Sequence, residues 1–173
     1  RQLDWMNRTI AANRDQLVMV FSHHTSTTMT ASLPNPETPG ERQYDGQHLV
    51  GQLHEHPNVI AWVNGHTHKN EMIAHRGATP KQSFWEINTA SHIDFPQLAR
   101  ILEVTDNGDG TISIFTPLIE ADSPYTADPS DLSQNGLASL YRELSYNDIH
   151  RDDDLLGAAK DRNCELLLAN PLH

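Results

Sequence analysis

Two short apolar runs constrain the fold of this chain more than any other feature. Residues 17–21 (LVMVF) and 59–63 (VIAWV) are each too short and too continuously apolar to be surface helices. Such runs are typical of strands that are buried on both faces in a sheet covered by helices. A helical spacing of apolar residues precedes each run, at Leu3, Met6 and Ile10 and again at Leu49, Val50 and Leu53. We therefore predict an α/β fold.

The rest of the chain predicts an antiparallel continuation of the sheet structure. Strand-like segments follow in the order EMIAH, SFWEIN, QLARILEVT and TISIFTPL, and the sequence DNGDG predicts a hairpin turn between the last two. DLSQNGLASLYRELS predicts a late amphipathic helix, and CELLLA predicts one more short strand. Residues 25–44 are rich in Thr, Pro and Ser without a period, which predicts a long loop. A chain of 173 residues is of the size of one domain.

Histidines follow both apolar runs directly. His23 and His24 come after the first run, and the second ends in Gly65-His66-Thr67-His68. Ligands of open α/β sheets bind beyond the carboxyl ends of the strands, and alternate residues of an extended segment share one face. Imidazole nitrogens suit Zn, Fe, Mn or Ni. We predict that His23, His66 and His68 converge as metal ligands, although each motif alone also fits a polar turn.

The remaining histidines are predicted to be surface or structural residues. His92 carries a reservation, because the loop NTASHIDFP follows a predicted strand and can border the same site. The full set is His48, His54, His56, His75, His92, His150 and His173.

Composition excludes several classes of partner. Acidic residues outnumber basic ones 23 to 12, the formal net charge is -11, and no basic cluster is present, so we predict no binding to duplex nucleic acid. No apolar run approaches the roughly 18 residues of a membrane-spanning helix, so we predict no membrane partner. Cys164 is the single cysteine, which excludes a disulfide framework and predicts a small buried residue.

Three segments together resemble a known family. VFSHHT, AWVNGHTHKN and SFWEINTASHIDFPQLARILEV, in that order, look like the C-terminal half of the calcineurin-like metallophosphoesterases, over about residues 1–120. The resemblance implies a four-layer αββα sandwich with mixed sheets. It also implies two metal ions (Mn, Fe or Zn) and hydrolysis of small phosphate mono- or diesters by a metal-activated hydroxide. Residues 121–173 are expected to form a mixed helical extension packed on the same domain.

Residue by residue, the resemblance assigns His23 and His66 to one ion and His68 to the other. His24 takes the place of a residue that lines the pocket. The family's earlier motifs, Asp-x-His, Gly-Asp-x-x-Asp and Gly-Asn-His-Asp, do not occur among the 22 residues before His23. Asp148-Ile149-His150 spells Asp-x-His, but it follows a polar helical segment in place of a strand.

We therefore expect the chain to be a piece of a longer protein, separated from the N-terminal half of its domain. Alone, it is expected to hold no catalytic residue and at most one weakly bound ion, to be inactive and to self-associate. Two alternatives stay open: a non-catalytic metallophosphoesterase-like scaffold or binding module, and a mononuclear zinc hydrolase with three histidine ligands.

Overall fold

The computed structural model describes residues 2–31 and 35–173, which form a mixed α/β fold, and the predicted fold class is confirmed at that level. The helices of the described residues are α1 (Gln2–Ala12), α2 (Gly46–His54) and α3 (Gln134–Tyr146). The strands are β1 (Val18–Phe21), β2 (Val59–Asn64), β3 (Glu71–His75), β4 (Phe84–Asn88), β5 (Ala99–Arg100), β6 (Glu103–Asp106), β7 (Thr111–Phe115), β8 (Leu118–Ile119) and β9 (Glu165–Ala169).

The main sheet has the strand order β1-β2-β4-β3. Strands β1, β2 and β4 are parallel, and β3 runs antiparallel to β4. Phe21 of β1 lies opposite Val63 of β2, so both strands end at the same edge of the sheet. This shared edge positions the residues that follow each strand.

The two apolar runs differ in burial. Strand β2 is buried along its whole length, as predicted. The same expectation for the first run is wrong, because β1 is the edge strand of this sheet and Phe21 is 65% exposed. An apolar pattern alone does not distinguish an edge strand from a central one.

A second sheet packs on the first. It contains the antiparallel strands β6-β7-β9, and β5 pairs with β8 in a separate two-stranded sheet. The two segments predicted as single strands are therefore each divided, into β5 and β6 and into β7 and β8. Pro117, which has no N–H to donate, lies at the second break.

Two apolar clusters hold these layers together. One lies between the sheets and combines Ile60, Ala61 and Ile87 with Ile112 and Leu166. The other lies between the main sheet and the helices α1 and α2 and includes Ile10, Leu49, Val50, Leu53, Val59, Trp62 and Phe84. The layer order is therefore helices, sheet, sheet.

Two predicted segments extend beyond the described residues. The loop predicted at 25–44 includes residues 32–34, and the first helical segment includes Arg1; both parts lie outside the described residues. The loop ends at Asp45, whose carboxylate caps α2 by accepting a hydrogen bond from the backbone N–H of His48 at 2.8 Å. Within 2–31 and 35–173, no helix has the length and apolar character needed to cross a membrane.

Candidate functional site

The shared edge of β1 and β2 brings three imidazoles together. His23 Nε2 lies 3.1 Å from His66 Nδ1, and the ring centroids of His24 and His66 are 4.1 Å apart. Backbone hydrogen bonds continue the pairing past the strand ends, from Ser22 N–H to Val63 O and from Gly65 N–H to His23 O. The geometry of the histidine cluster therefore follows from the parallel register of the two strands.

The surroundings of His66 favour its neutral form. Desolvation, followed by the positive charges of His24, His23 and His68, lowers the pKa of His66 below its ordinary value of 6.5. A neutral imidazole is the form that offers a lone pair to a metal ion.

His66 and His68 do not lie in extended backbone, so the alternate-residue argument for their proximity is wrong. Strand β2 ends at Asn64, and both histidines have left-handed φ angles, 61° and 56°. Thr67 between them closes a tight turn by donating from its N–H to Gly65 O at 2.6 Å. Non-glycine residues occupy this region at some energetic cost, and such positions concentrate at functional sites.

His68 has a partner that the sequence did not reveal. Its Nδ1 lies 2.6 Å from Asp94 Oδ2, and both side chains are 40% exposed. Asp94 belongs to the loop between β4 and β5, which is the loop that raised the reservation about His92. His92 itself is exposed and lines a cavity of about 350 Å³ with Gln97, Tyr141 and Arg142.

A buried carboxylate connects the two strand ends beneath the histidines. Glu86 on β4 is 0% exposed, and its Oε1 accepts hydrogen bonds from Ser26 N–H and from Asn64 Nδ2, each at 2.7 Å. His75 Nε2 donates to the other oxygen, also at 2.7 Å. Glu86 thereby fixes the segment after His24 relative to the segment before His66.

Buried asparagines bracket the loop that carries His66 and His68. Asn88 Nδ2 donates to the hydroxyl of Thr67, and Asn64 O accepts from Thr89 N–H at 3.1 Å. On the other side Asn70 is 0% exposed and accepts from Ala90 N–H and from Arg100 Nη2. The side-chain oxygens of Asn64 and Asn88 are buried and have no hydrogen-bond donor within residues 2–31 and 35–173.

The segment 155–161, which lies between α3 and β9, supports the same loop. Asn70 N–H donates to Leu155 O at 3.0 Å, and the carboxylate of Asp161 accepts from Met72 N–H at 3.0 Å. Gly157 has a φ of +73°, and a Cβ at this position would lie 2.1 Å from Asn70 O. The C-terminal part of the chain therefore contributes directly to the position of the candidate site.

The facing nitrogens of His23 and His66 fit one metal ion as a pair of ligands. Two imidazole nitrogens at about 2.05 Å from one zinc ion in tetrahedral geometry are about 3.3 Å apart. The observed separation of 3.1 Å is close to this value, and it also fits a hydrogen bond between the two rings. In the described residues, no group of three or more His, Cys, Asp or Glu side chains is arranged to hold a metal ion. The cluster therefore offers two facing imidazole nitrogens, fewer than the three or four protein ligands of a zinc site.

The remaining sequence candidates lie in ordinary structural settings. Asp148 accepts a hydrogen bond from the backbone N–H of His150 in an exposed turn, and Ile149 is 91% exposed. Cys164 is partly buried against the cluster between the sheets. His75 is the partner of Glu86, which is a structural role.

Sequence reasoning did not identify Asp94, Glu86 and Asn70. Glu86 was detectable in principle, because a carboxylate between apolar residues in SFWEIN is unusual for a central strand. No comparable signal pointed to Asp94, whose partner lies 26 positions away.

Comparison with protein-family models and with curated proteins finds no match to this chain.

Proposed function

We propose that this chain carries part of the active site of a dimetal phosphoesterase of the calcineurin-like metallophosphoesterase type. In this proposal His23 and His66 are ligands of one ion, His68 is a ligand of the second, and His24 lines the pocket. The observation that carries it is the 3.1 Å approach of His23 Nε2 to His66 Nδ1 at the carboxyl ends of two parallel strands. Histidines on adjoining strand ends occur where α/β sheets bind ligands.

The finer architecture belongs to the same proposal. Helices α1 and α2, the main sheet and the second sheet supply three successive layers, in the order of an αββα sandwich. The remaining ligands, including the bridging carboxylate, would come from the N-terminal half of the domain in a longer protein.

The phosphate-ester substrate is what the resemblance implies, and the charge of the chain bears on how such a substrate would be held. The sequence has a formal net charge of -11 and no cluster of Lys or Arg, so attraction of a phosphate ester depends on the metal ions. When bound, Mn, Fe or Zn ions would supply positive charge and lower the pKa of a water molecule. The chain's own contribution is to hold imidazole nitrogens at fixed positions on two strand ends.

The test uses the longer protein that contains the upstream motifs. His66→Ala removes one ligand, so metal-dependent hydrolysis of an aryl phosphodiester should fall by orders of magnitude. The melting temperature should change little, because His66 lies in a loop and contributes no core packing. His173→Ala, whose side chain is 63% exposed and contacts Asp106, is the matched control and should retain activity. Unchanged turnover of His66→Ala at saturating Mn²⁺ would contradict the proposal.

A second candidate is a non-catalytic metallophosphoesterase-like module. The observation that favours it is the 3.1 Å separation of His23 Nε2 and His66 Nδ1, which also fits a direct hydrogen bond between the two rings. Failure of the longer protein to bind any transition metal would support this candidate. A mononuclear zinc hydrolase is distinguished by metal analysis of the same protein, which would give one ion per chain against two.

A further inference from the structure

The contact between His68 and Asp94 determines which nitrogen of the ring is free. An ionised carboxylate only accepts hydrogen bonds, so the Nδ1 atom that lies 2.6 Å from Asp94 Oδ2 must carry the proton. In the neutral ring the other nitrogen, Nε2, then has an available lone pair. The structure therefore specifies one tautomer of His68.

Both partners are held from outside the pair. The His68 loop is fixed on one side by the contact of Thr67 with Asn88 and on the other by the buried Asn70. The backbone O of Asp94 accepts from Gln97 N–H at 2.8 Å. The next residue, Phe95, packs beneath the guanidinium of Arg151, which lies 4.6 Å from the ring centroid. Asp94 thus approaches His68 from a fixed loop.

The second oxygen of Asp94 is unusual. Oδ1 is buried and has no hydrogen-bond donor among the described residues. A carboxylate in this setting contributes less to stability than one with both oxygens satisfied. Its pairing with His68 is the interaction that accounts for its position.

We propose that Asp94 is a positioning residue that holds the His68 ring in the Nδ1–H tautomer and presents Nε2 as the ligand atom. The inference rests on the proposed function, in which His68 binds a metal ion. Carboxylates that hold metal-binding histidines in this way typically affect metal affinity by about 10- to 100-fold.

The first measurement needs no metal. Nitrogen-15 NMR of the metal-free chain at about pH 8, where most histidines are neutral, reports the tautomer of each ring. The His68 signal is assigned from its loss in His68→Gln. We expect His68 to carry its proton on Nδ1 in the parent chain. The same tautomer is expected in Asp94→Asn, because the asparagine retains an acceptor oxygen. Asp94→Ala should shift His68 towards Nε2–H, whereas Asp122→Ala, at an exposed carboxylate, should not.

The second measurement is calorimetric titration with Zn²⁺ alone. Asp94→Ala should weaken binding by about 10- to 100-fold relative to Asp122→Ala, and Asp94→Asn should weaken it less. Circular dichroism verifies that each variant is folded. If Asp94→Ala does not fold, Asp94→Asn replaces it in the Zn²⁺ titration, where it tests the loss of charge and weaker binding is expected.

The outcomes separate this inference from the proposed function. An Nε2–H tautomer in the parent chain, or Zn²⁺ affinity equal in the Asp94 variant and the Asp122→Ala control, overturns the role of Asp94. If the parent chain binds no Zn²⁺ but shows the expected tautomers, the positioning of the ring by Asp94 stands, and the role of Nε2 as a ligand atom in this chain is overturned; the proposed function is tested separately in the longer protein.

Discussion

Replacement of Glu86 tests whether one buried carboxylate maintains the candidate site. Glu86→Ala removes the acceptor for Ser26 N–H, Asn64 Nδ2 and His75 Nε2, all of which are donors at 2.7 Å. Ser26 follows His23 and His24 in the chain, and Asn64 precedes His66. The substitution should therefore destabilise the fold and disorder the histidine cluster together.

The expected magnitude follows from the number of donors left without a partner. Each buried polar group without a hydrogen bond costs about 1–3 kcal/mol, and Glu86→Ala leaves three donors without their acceptor. We expect Glu86→Ala to lower the free energy of unfolding by about 3–5 kcal/mol. Glu86→Gln should cost only about 1–2 kcal/mol, because its amide oxygen can still accept from Ser26 N–H and Asn64 Nδ2.

The pH dependence gives an independent signature. Burial by itself would raise the pKa of Glu86, but the hydrogen bonds from His75, Ser26 and Asn64 outweigh it, so the pKa lies below its ordinary value of 4.5. The unfolded chain therefore binds the proton more readily. The stabilisation from Glu86 is fully present above the unfolded value of 4.5 and is lost as the pH falls through the lower folded pKa.

Urea denaturation at a series of pH values measures both the loss of unfolding free energy and its dependence on pH. In Glu86→Gln the free energy of unfolding should decrease less as the pH falls below 4.5. Glu103→Gln, at an exposed position in β6, should keep the pH dependence of the parent chain. Nitrogen-15 spectra of the imidazoles report whether the cluster persists. Equal unfolding free energies for Glu86→Ala and the parent chain would refute the reasoning, since a carboxylate with three buried donors cannot be removed without loss.

Two further predictions concern the C-terminal segment and the edge of the sheet. Gly157→Ala should lower the free energy of unfolding by at least 1–2 kcal/mol, as an order-of-magnitude value, because of its positive φ and the 2.1 Å approach to Asn70 O. A Cβ added at Gly51 in α2 would have no atom within 4 Å, so Gly51→Ala should be neutral or stabilising by about 1 kcal/mol. Urea denaturation of both glycine variants measures the difference. Light scattering should give a mass above one chain, because β1 is an edge strand of the main sheet in the part of the chain that the structure describes, and it exposes Phe21. Phe21→Lys should reduce this mass. A strictly monomeric parent chain at high concentration would contradict the second prediction.

The sequence was sufficient to predict features that depend on local patterns. Short apolar runs marked β1 and β2, and turn residues marked the hairpin between β6 and β7. The approach of His23 to His66 was also predictable, since parallel neighbouring strands end at the same edge. The strand break at Pro117 and the edge position of β1 depend on which strands pair, which periodicity does not specify.

The supporting contacts of the site were beyond prediction for a physical reason. His68 meets Asp94 across 26 positions, and Asn70 meets Leu156 across 86, so each pairing is determined by the packed fold. The conformation of Gly65-His66-Thr67-His68 is also determined by the packed fold. An extended geometry was the simplest assumption, but the left-handed turn depends on Asn64, Asn88 and Asn70 around it.

The last prediction concerns the number of metal ions that the 173-residue chain can hold. Two divalent ions about 4 Å apart repel by roughly 16 kcal/mol at an effective dielectric constant of about 20, and carboxylates normally offset this repulsion. His23, His66 and His68 contribute no negative charge, and the carboxylate nearest to them in the described contacts, Asp94, is engaged with His68 Nδ1.

We therefore expect at most one weakly bound ion per chain, held among His23, His66 and His68 and completed by water or by a carboxylate of a neighbouring copy. Elemental analysis after dialysis against Zn²⁺ or Mn²⁺ gives the stoichiometry, and His23→Ala should abolish the bound fraction. With a single weakly held ion and no bridging carboxylate, hydrolysis of phosphate mono- and diesters should stay at background with Mn²⁺, Zn²⁺ or Fe²⁺. Two tightly bound ions, or robust metal-dependent hydrolysis by a monomeric chain, would show that the ligand set is more complete than the three histidines. Asp148 and His150 would then be the first residues to test as additional ligands.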